Sequence, residues 1–295
     1  ELMAEAEQLQ GHKNAVTLRL NKINGTPFTS INEPHQKRNI QDLVRPNILK
    51  MHAYSSARNE FEGAAEILLD ANENPFNNGI NRYPDPLQKE LKKKIASWKN
   101  LSEENIFLGN GSDEIISLLI QTFCSPKEDG IIILPPSFGV YEVAAAIGEI
   151  NVKKINLNKT FQPRVNSILK ATDSKDKILF ICSPNNPTGN SFDFGKIKKL
   201  ILEFDGIVVI DEAYIDFSQN ESCLSLLKSN KNLIILQTFS KALGMAGARL
   251  GMAFASQEII NFLNRVKMPY NINELTQKAA ISRLKKKNII EQQIK

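Results

Sequence analysis

The chain has 295 residues, 42% hydrophobic and 23% charged, with a formal net charge of +5. That length supports one large domain or two moderate ones with ample core, and the composition is that of an ordinary soluble globular protein. The mild positive balance comes from runs such as Lys92-Lys93-Lys94 and Lys285-Lys286-Lys287, read as solvated helix faces; with no basic stripe interleaved with aromatics and no apolar run near the roughly 18 residues of a membrane span, neither nucleic acid nor membrane is an expected partner.

Residues 1–20, "ELMAEAEQLQGHKNAVTLRL", read as an amphipathic helix followed by a short strand, without a signal-peptide pattern. Residues 24–42 are polar, rich in Asn, Pro and Thr and lack periodicity, so a linker is expected there. From about residue 73, short β-branched runs alternate with helix-like stretches. The expected strands are "GIIILPP" (130–136), "NVKKINL" (151–157), "KILFICS" (177–183), "GIVVIDEAY" (206–214), "NLIILQTFS" (232–240) and "ARLGMAFA" (248–255). Helical patterns such as "DEIISLLIQTFC" and "FDFGKIKKLILEF" separate them. Apolar strands spaced by helices predict a parallel sheet covered on both faces, hence a three-layer α/β/α domain. Cys124, Cys182 and Cys223 show neither metal-ligand spacing nor an even framework, which points to a reducing compartment and makes the cytoplasm the expected location.

In sheets of this kind ligands gather at the carboxyl ends of the strands. There, "IVVI" runs into Asp211, Glu212 and Tyr214, "ILFICS" into "PNNPTG" (184–189), and "LIILQTF" into Ser240-Lys241. "FLGNGSDEIISLL" sets Gly109, Gly111 and Ser112 just before a helix, with Asp113 and Glu114 in its first turn; free N–H groups and the helix dipole suit that junction to a phosphate. Lys241 lies among small and apolar residues in "QTFSKALGMAGARLG". A lysine sheltered there would be nucleophilic near neutral pH; the plainer alternative is an exposed lysine on an amphipathic helix.

A ligand that needs this set has a phosphate, a ring nitrogen that must stay protonated and a carbonyl with which a lysine can condense. Pyridoxal 5′-phosphate has all three. Lys241 is then the condensing lysine and Asp211 the ring-nitrogen partner. Gly111, Ser112, Asp113, Ser240 and Arg249 surround the phosphate, Arg249 with a planar fork of donors. Asn186 and Tyr214 address the phenolic oxygen, and Phe138 lies on the ring face. Plainer roles stay open: Asp211 and Glu212 as strand-end caps, Asn186 as a turn former, Phe138 as core. His35 and His52 have no partner in the sequence.

"SPNNPTG", "DEAY" and "SKALGMAGARLG", in this order, resemble the fold-type I aminotransferases. "LVRPNI" (43–48), "YSSAR" (54–58), "LDANENPF" (69–76), "NRYPDP" (81–86) and "LGNGSDEII" (108–116) narrow the resemblance to histidinol-phosphate aminotransferases over about residues 41–295. The resemblance implies an N-terminal arm at 43–72, a large cofactor-binding domain at 73–270, and at 271–295 the start of a small domain that is mostly missing. It implies a homodimer in which Tyr83 crosses to the partner's cofactor phosphate and Tyr54 lies over the substrate, with Asn186 also near it. Both tyrosines also read as plain interface residues. It further implies amino-group exchange between L-histidinol phosphate and 2-oxoglutarate, with glutamate as the other product. Where the family often has Tyr, this chain has Phe138. An aromatic amino-acid aminotransferase shares every cofactor residue and is the alternative; a non-catalytic cofactor-binding module of a regulator would need an upstream DNA-binding unit.

Residues 1–23 fall outside that family. "GHKNAV" resembles the C-terminal end of histidinol dehydrogenase, in which its histidine binds zinc and a glutamate five residues earlier contacts substrate; here these are His12 and Glu7. A catalytic zinc needs about three protein ligands, so no metal site and no dehydrogenase activity are expected. The chain is expected to bind the cofactor but, without the small domain's substrate-gripping arginine, to transaminate poorly.

Overall fold

The computed structural model describes residues 37–52 and 70–294. The dehydrogenase-like segment 1–23, most of the polar run 24–42, and Tyr54 with its "YSSAR" stretch lie outside the described residues. The sheet has seven strands, β1 (Ile106–Gly109), β2 (Gly130–Ile133), β3 (Asn151–Lys154), β4 (Asp176–Cys182), β5 (Ile207–Asp211), β6 (Leu233–Thr238) and β7 (Gly251–Ala255). Their order is β1-β7-β6-β5-β4-β2-β3. β7 runs antiparallel to β1 and β6, and the other pairings are parallel. The chain leaves β6 through the loop 239–250 and returns directly into β7, which forces the antiparallel direction; parallel neighbours need a crossover.

Alternate strand residues supply two cores. Phe107, Ile131, Ile178, Phe180, Val209, Ile234, Leu236 and Ala253 face one side. There they meet α1 (Ile40–Leu43), α2 (Pro46–Leu49), α4 (Gly111–Phe123), α5 (Val140–Ile147) and α8 (Gln257–Val266). Leu108, Ile132, Leu179, Ile181, Val208, Ile210, Ile235 and Phe254 face the other. Their partners are α3 (Lys89–Lys99), α6 (Val165–Ala171), α7 (Phe194–Glu203), α9 (Glu274–Leu284) and α10 (Lys287–Ile294). This is the expected three-layer domain with a mainly parallel sheet.

Three details add to the sequence reading. The end of the expected linker is anchored: the Arg38 guanidinium donates to the Asp205 carboxylate at 3.0 Å and to the Ser174 carbonyl at 2.8 Å, and Ile40 and Leu43 are buried. A four-residue helix is too short to show periodicity, so the polar composition hid it. Lys92 is 8% exposed and does not join a solvated face. Residues 271–294 pack on the main core: Ile272, Ala280, Leu284 and Ile290 belong to the second cluster, and the chain from Arg38 onward forms one compact unit.

Candidate active site

Register brings the chemistry to one edge of the sheet. Gly109 pairs with Gly251, Gly251 with Thr238, and Asp211 with Cys182, so the ends of β1, β4, β5 and β6 and the start of β7 lie side by side. The sequence-expected residues Ser112, Asp113, Phe138, Asn186, Asp211, Tyr214, Ser240, Lys241 and Arg249 line one cavity of about 140 Å³, joined by Cys182, Ala213 and Thr238.

The end of the cavity at the start of α4 is shaped by glycine. Gly111 opens α4 with φ +80°, a conformation that glycine adopts without strain, and a Cβ there would come within 2.6 Å of an Arg249 guanidinium nitrogen. A Cβ on Gly251 would come within 2.4 Å of the Ser112 backbone nitrogen. Two missing side chains thus let the helix start sit directly on β7 beside Arg249. The first N–H groups of α4 have no intrahelical acceptors, which suits the junction to an anion. The Asp113 carboxylate accepts from Arg249 at 2.9 Å; it aims the guanidinium, since a carboxylate cannot donate to a phosphate. Glu114 turns away, accepting from the Asn110 N–H and from the Asn271 amide.

Lys241 is not helical. It lies in the loop 239–250, held by the Gly244 N–H donating to the Lys241 carbonyl at 2.8 Å and by the Phe239 N–H donating to the Leu250 carbonyl at 3.0 Å. Phe239, Ala242 and Leu243 are buried, but the Lys241 side chain is exposed, with Nζ 5.3 Å from the Tyr214 ring centre. The interior-like sequence around it reflects the burial of its neighbours, while the Lys241 side chain itself lines the cavity. From α9, Arg283 donates to the Leu243 carbonyl at 2.8 Å and Thr276 to the Ala248 carbonyl at 2.9 Å, clamping this loop.

The adjacent carboxylates have separate fates. Glu212 is buried under Ser222, the Cys223 N–H and Gln237, which donate to it at 2.6, 2.6 and 2.9 Å, so it ties down the 222–223 turn. Asp211 faces the cavity at 2% exposure. Burial pushes its pKa up, while the Tyr141 hydroxyl and the Ala213 N–H pull it down. Tyr141, on α5, donates to Asp211 Oδ2 at 2.7 Å. Sequence reasoning missed Tyr141; its only signal is a lone tyrosine three residues beyond Phe138 in a mostly apolar helix. Phe138 lines the cavity while meeting Tyr141 edge-on at 5.6 Å. Asn186 lines the cavity, whereas the turn is held by its neighbour Asn185, which donates to Thr188 at 2.7 Å and to the Pro136 carbonyl at 2.9 Å.

Residues 55–295 match the aminotransferase class I and II family. A histidinol-phosphate aminotransferase of Parabacteroides distasonis is 51% identical over 257 residues, 87% of this chain and 74% of that protein. The chain belongs to this family of aminotransferases. The crystal structure of the histidinol-phosphate aminotransferase from Clostridium acetobutylicum superimposes with a TM-score of 0.66 and 29% identity, over 73% of this chain and 64% of that one. That from Sinorhizobium meliloti, solved in complex with pyridoxal-5′-phosphate, shares the fold at a TM-score of 0.66 and 20% identity, over 72% of this chain and 59% of that one. The chain therefore spans about three quarters of the curated relative and under two thirds of either solved structure.

Class I and II aminotransferases of this kind use pyridoxal 5′-phosphate, and the cavity fits it: a glycine-lined anion cradle, a buried carboxylate and a lysine face one space. Tyr83 is not part of that space in its own chain. It is 52% exposed and stacks on Tyr270 at 4.4 Å, beside a second, open pocket that includes Glu73, Arg82 and Asn273.

Proposed function

We propose that the protein exchanges an amino group between L-histidinol phosphate and 2-oxoglutarate, using pyridoxal 5′-phosphate. The observation that carries this is one cavity shared by Lys241, Asp211 and the Gly111–Ser112–Arg249 cradle. When bound, the cofactor supplies an electron-withdrawing ring that makes the proton on the amine-bearing carbon acidic. The Arg249 fork, the Ser112 and Ser240 hydroxyls and the α4 N–H groups hold its phosphate. The Asp211 carboxylate keeps a proton on the ring nitrogen. Tyr214 and Asn186 hydrogen-bond the phenolic oxygen, and Phe138 covers a ring face. Lys241 Nζ, reaching in from its exposed loop and freed once the substrate amine takes its place at the cofactor's carbonyl carbon, would lift the proton from the amine-bearing carbon and return it to that carbonyl carbon, on the far side of the nitrogen.

The half-exposed Tyr83 supports a homodimer in which this residue meets the partner's phosphate, and on the family resemblance our reading of Tyr54 is a contact over the substrate. Three buried free thiols favour a reducing compartment, for which the cytoplasm is our reading; no described helix is long and apolar enough to cross a membrane. The test is a single-turnover half-reaction of the cofactor-loaded chain with L-histidinol phosphate and, separately, with phenylalanine. A clear preference for histidinol phosphate is expected. Preference for phenylalanine would reassign the substrate, and reaction with neither would refute the transaminase reading.

A further inference from the structure

Asp211 is gripped on both oxygens. Oδ1 accepts from the Ala213 N–H at 3.1 Å, and Oδ2 accepts from the Tyr141 hydroxyl at 2.7 Å. The ionisable groups facing it come from four elements: Tyr141 on α5, Cys182 at the end of β4, Asp113 on α4 and Lys241 after β6. Tyr141 is fully buried. Its ring is stacked on Phe180 at 4.6 Å with the planes 12° apart, and its edge meets Phe138. The ring therefore has one orientation, and its hydroxyl points at one carboxylate oxygen. Burial and the neighbouring Asp211 charge hold the phenol pKa well above its ordinary value, so Tyr141 acts as the donor and Asp211 as the acceptor. A core tyrosine with no further role satisfies its hydroxyl on any carbonyl; here it is matched to the one buried carboxylate that lines the cavity.

Resting on the reading of Asp211 as partner of the cofactor's ring nitrogen, we propose that Tyr141 is a positioning residue for the reaction: its hydroxyl holds Asp211 anionic in a buried site and fixes the direction of the carboxylate lone pairs that remain open to the cavity. Each carboxylate oxygen can accept more than one hydrogen bond, so the contact leaves acceptor capacity for the ring N–H. Without the phenol, burial dominates, and Asp211 takes up a proton more readily.

The test uses the full chain. Asp211 is followed by carboxyl ¹³C NMR in cofactor-free protein, with its signal assigned by Asp211→Asn. In Tyr141→Phe the Asp211 midpoint should rise by about one pH unit or more, the loss of one charge-assisted hydrogen bond. In the loaded enzyme at pH 7 the half-reaction rate should fall roughly ten- to a hundredfold. KM should change little, and the deficit should shrink as pH rises and Asp211 ionises. Fluorotyrosine at position 141, a stronger donor of nearly the same shape, should move the midpoint down, and it keeps the test alive if Tyr141→Phe folds poorly. An Asp211 midpoint unmoved by the donor change, or a rate loss independent of pH, would overturn the proposal and leave Tyr141 as packing. Normal turnover by Asp211→Asn would instead refute the cofactor reading beneath it.

Discussion

Lys92 shows how a single side chain can carry an energetic penalty unrelated to catalysis. Within "KELKKKIASWK" it falls on the inward stripe of α3 with Leu91, Ile95 and Ala96, and its ammonium goes down with the stem. Burial first, and the Lys267 charge second, lower its pKa from 10.5 to about 8, against the pull of Asp85 and Glu103. The folded pKa is below the unfolded one, so the native state binds fewer protons between about pH 8 and 10.5, and stability rises with pH across that window. Below pH 8 the full cost applies, on the order of 3 kcal/mol at 1.36 kcal/mol per pH unit. Lys92→Met, which keeps the stem and removes the charge, should raise denaturant stability by roughly 1–3 kcal/mol at pH 7, and the advantage should fade by pH 10.5. An advantage independent of pH would mean that packing, and not charge, is responsible. Sequence alone could not separate Lys92 from Lys93 and Lys94, because the phase of a helix against its neighbours is a tertiary fact. The same holds for Lys241 and Tyr141. The residues flanking Lys241 suggested enclosure and are themselves buried, yet the Lys241 side chain is exposed; the Tyr141–Asp211 contact joins residues on α5 and β5 that no local pattern connects.

At the scale of elements, most strands were legible because a strand buried on both faces reads as a near-continuous apolar run, as β5 and β6 do up to their carboxyl ends, where Asp211 and Gln237-Thr238 enter. β1 was not, since its four residues run straight into the turn that opens α4. The reversal of β7 was not legible either, because direction is set by the connection and not by strand composition. The cofactor motifs were legible as a set, since glycine turns and strand-end carboxylates have local signatures. Their mechanical support was not: α9 reaches from about thirty residues downstream to hold the Lys241 loop through Arg283 and Thr276. Arg283→Ala removes a donor from the Leu243 carbonyl and frees the loop carrying Lys241. With part of the charged hydrogen bond's worth lost, cofactor affinity should fall about five- to tenfold, with little change in the cavity's own residues. Equilibrium titration of cofactor fluorescence checks this, and unchanged affinity would show that the loop holds its shape without α9.

The unit from Arg38 onward is, in its described residues, a three-layer domain whose two cores fix the sheet, and whose sheet brings five strand ends to one edge. At this edge Lys241 and Asp211 line one cavity, and we propose that Lys241, and no other lysine, condenses with the cofactor carbonyl there. Lysines abound in this chain, so the claim is exposed to a clear failure. The most direct measurement is to load the chain with pyridoxal 5′-phosphate, reduce with borohydride and map the labelled peptide by mass spectrometry. The label should sit on Lys241 alone, and Lys241→Ala should take up none. A label on another lysine, or undiminished labelling of Lys241→Ala, would contradict the site.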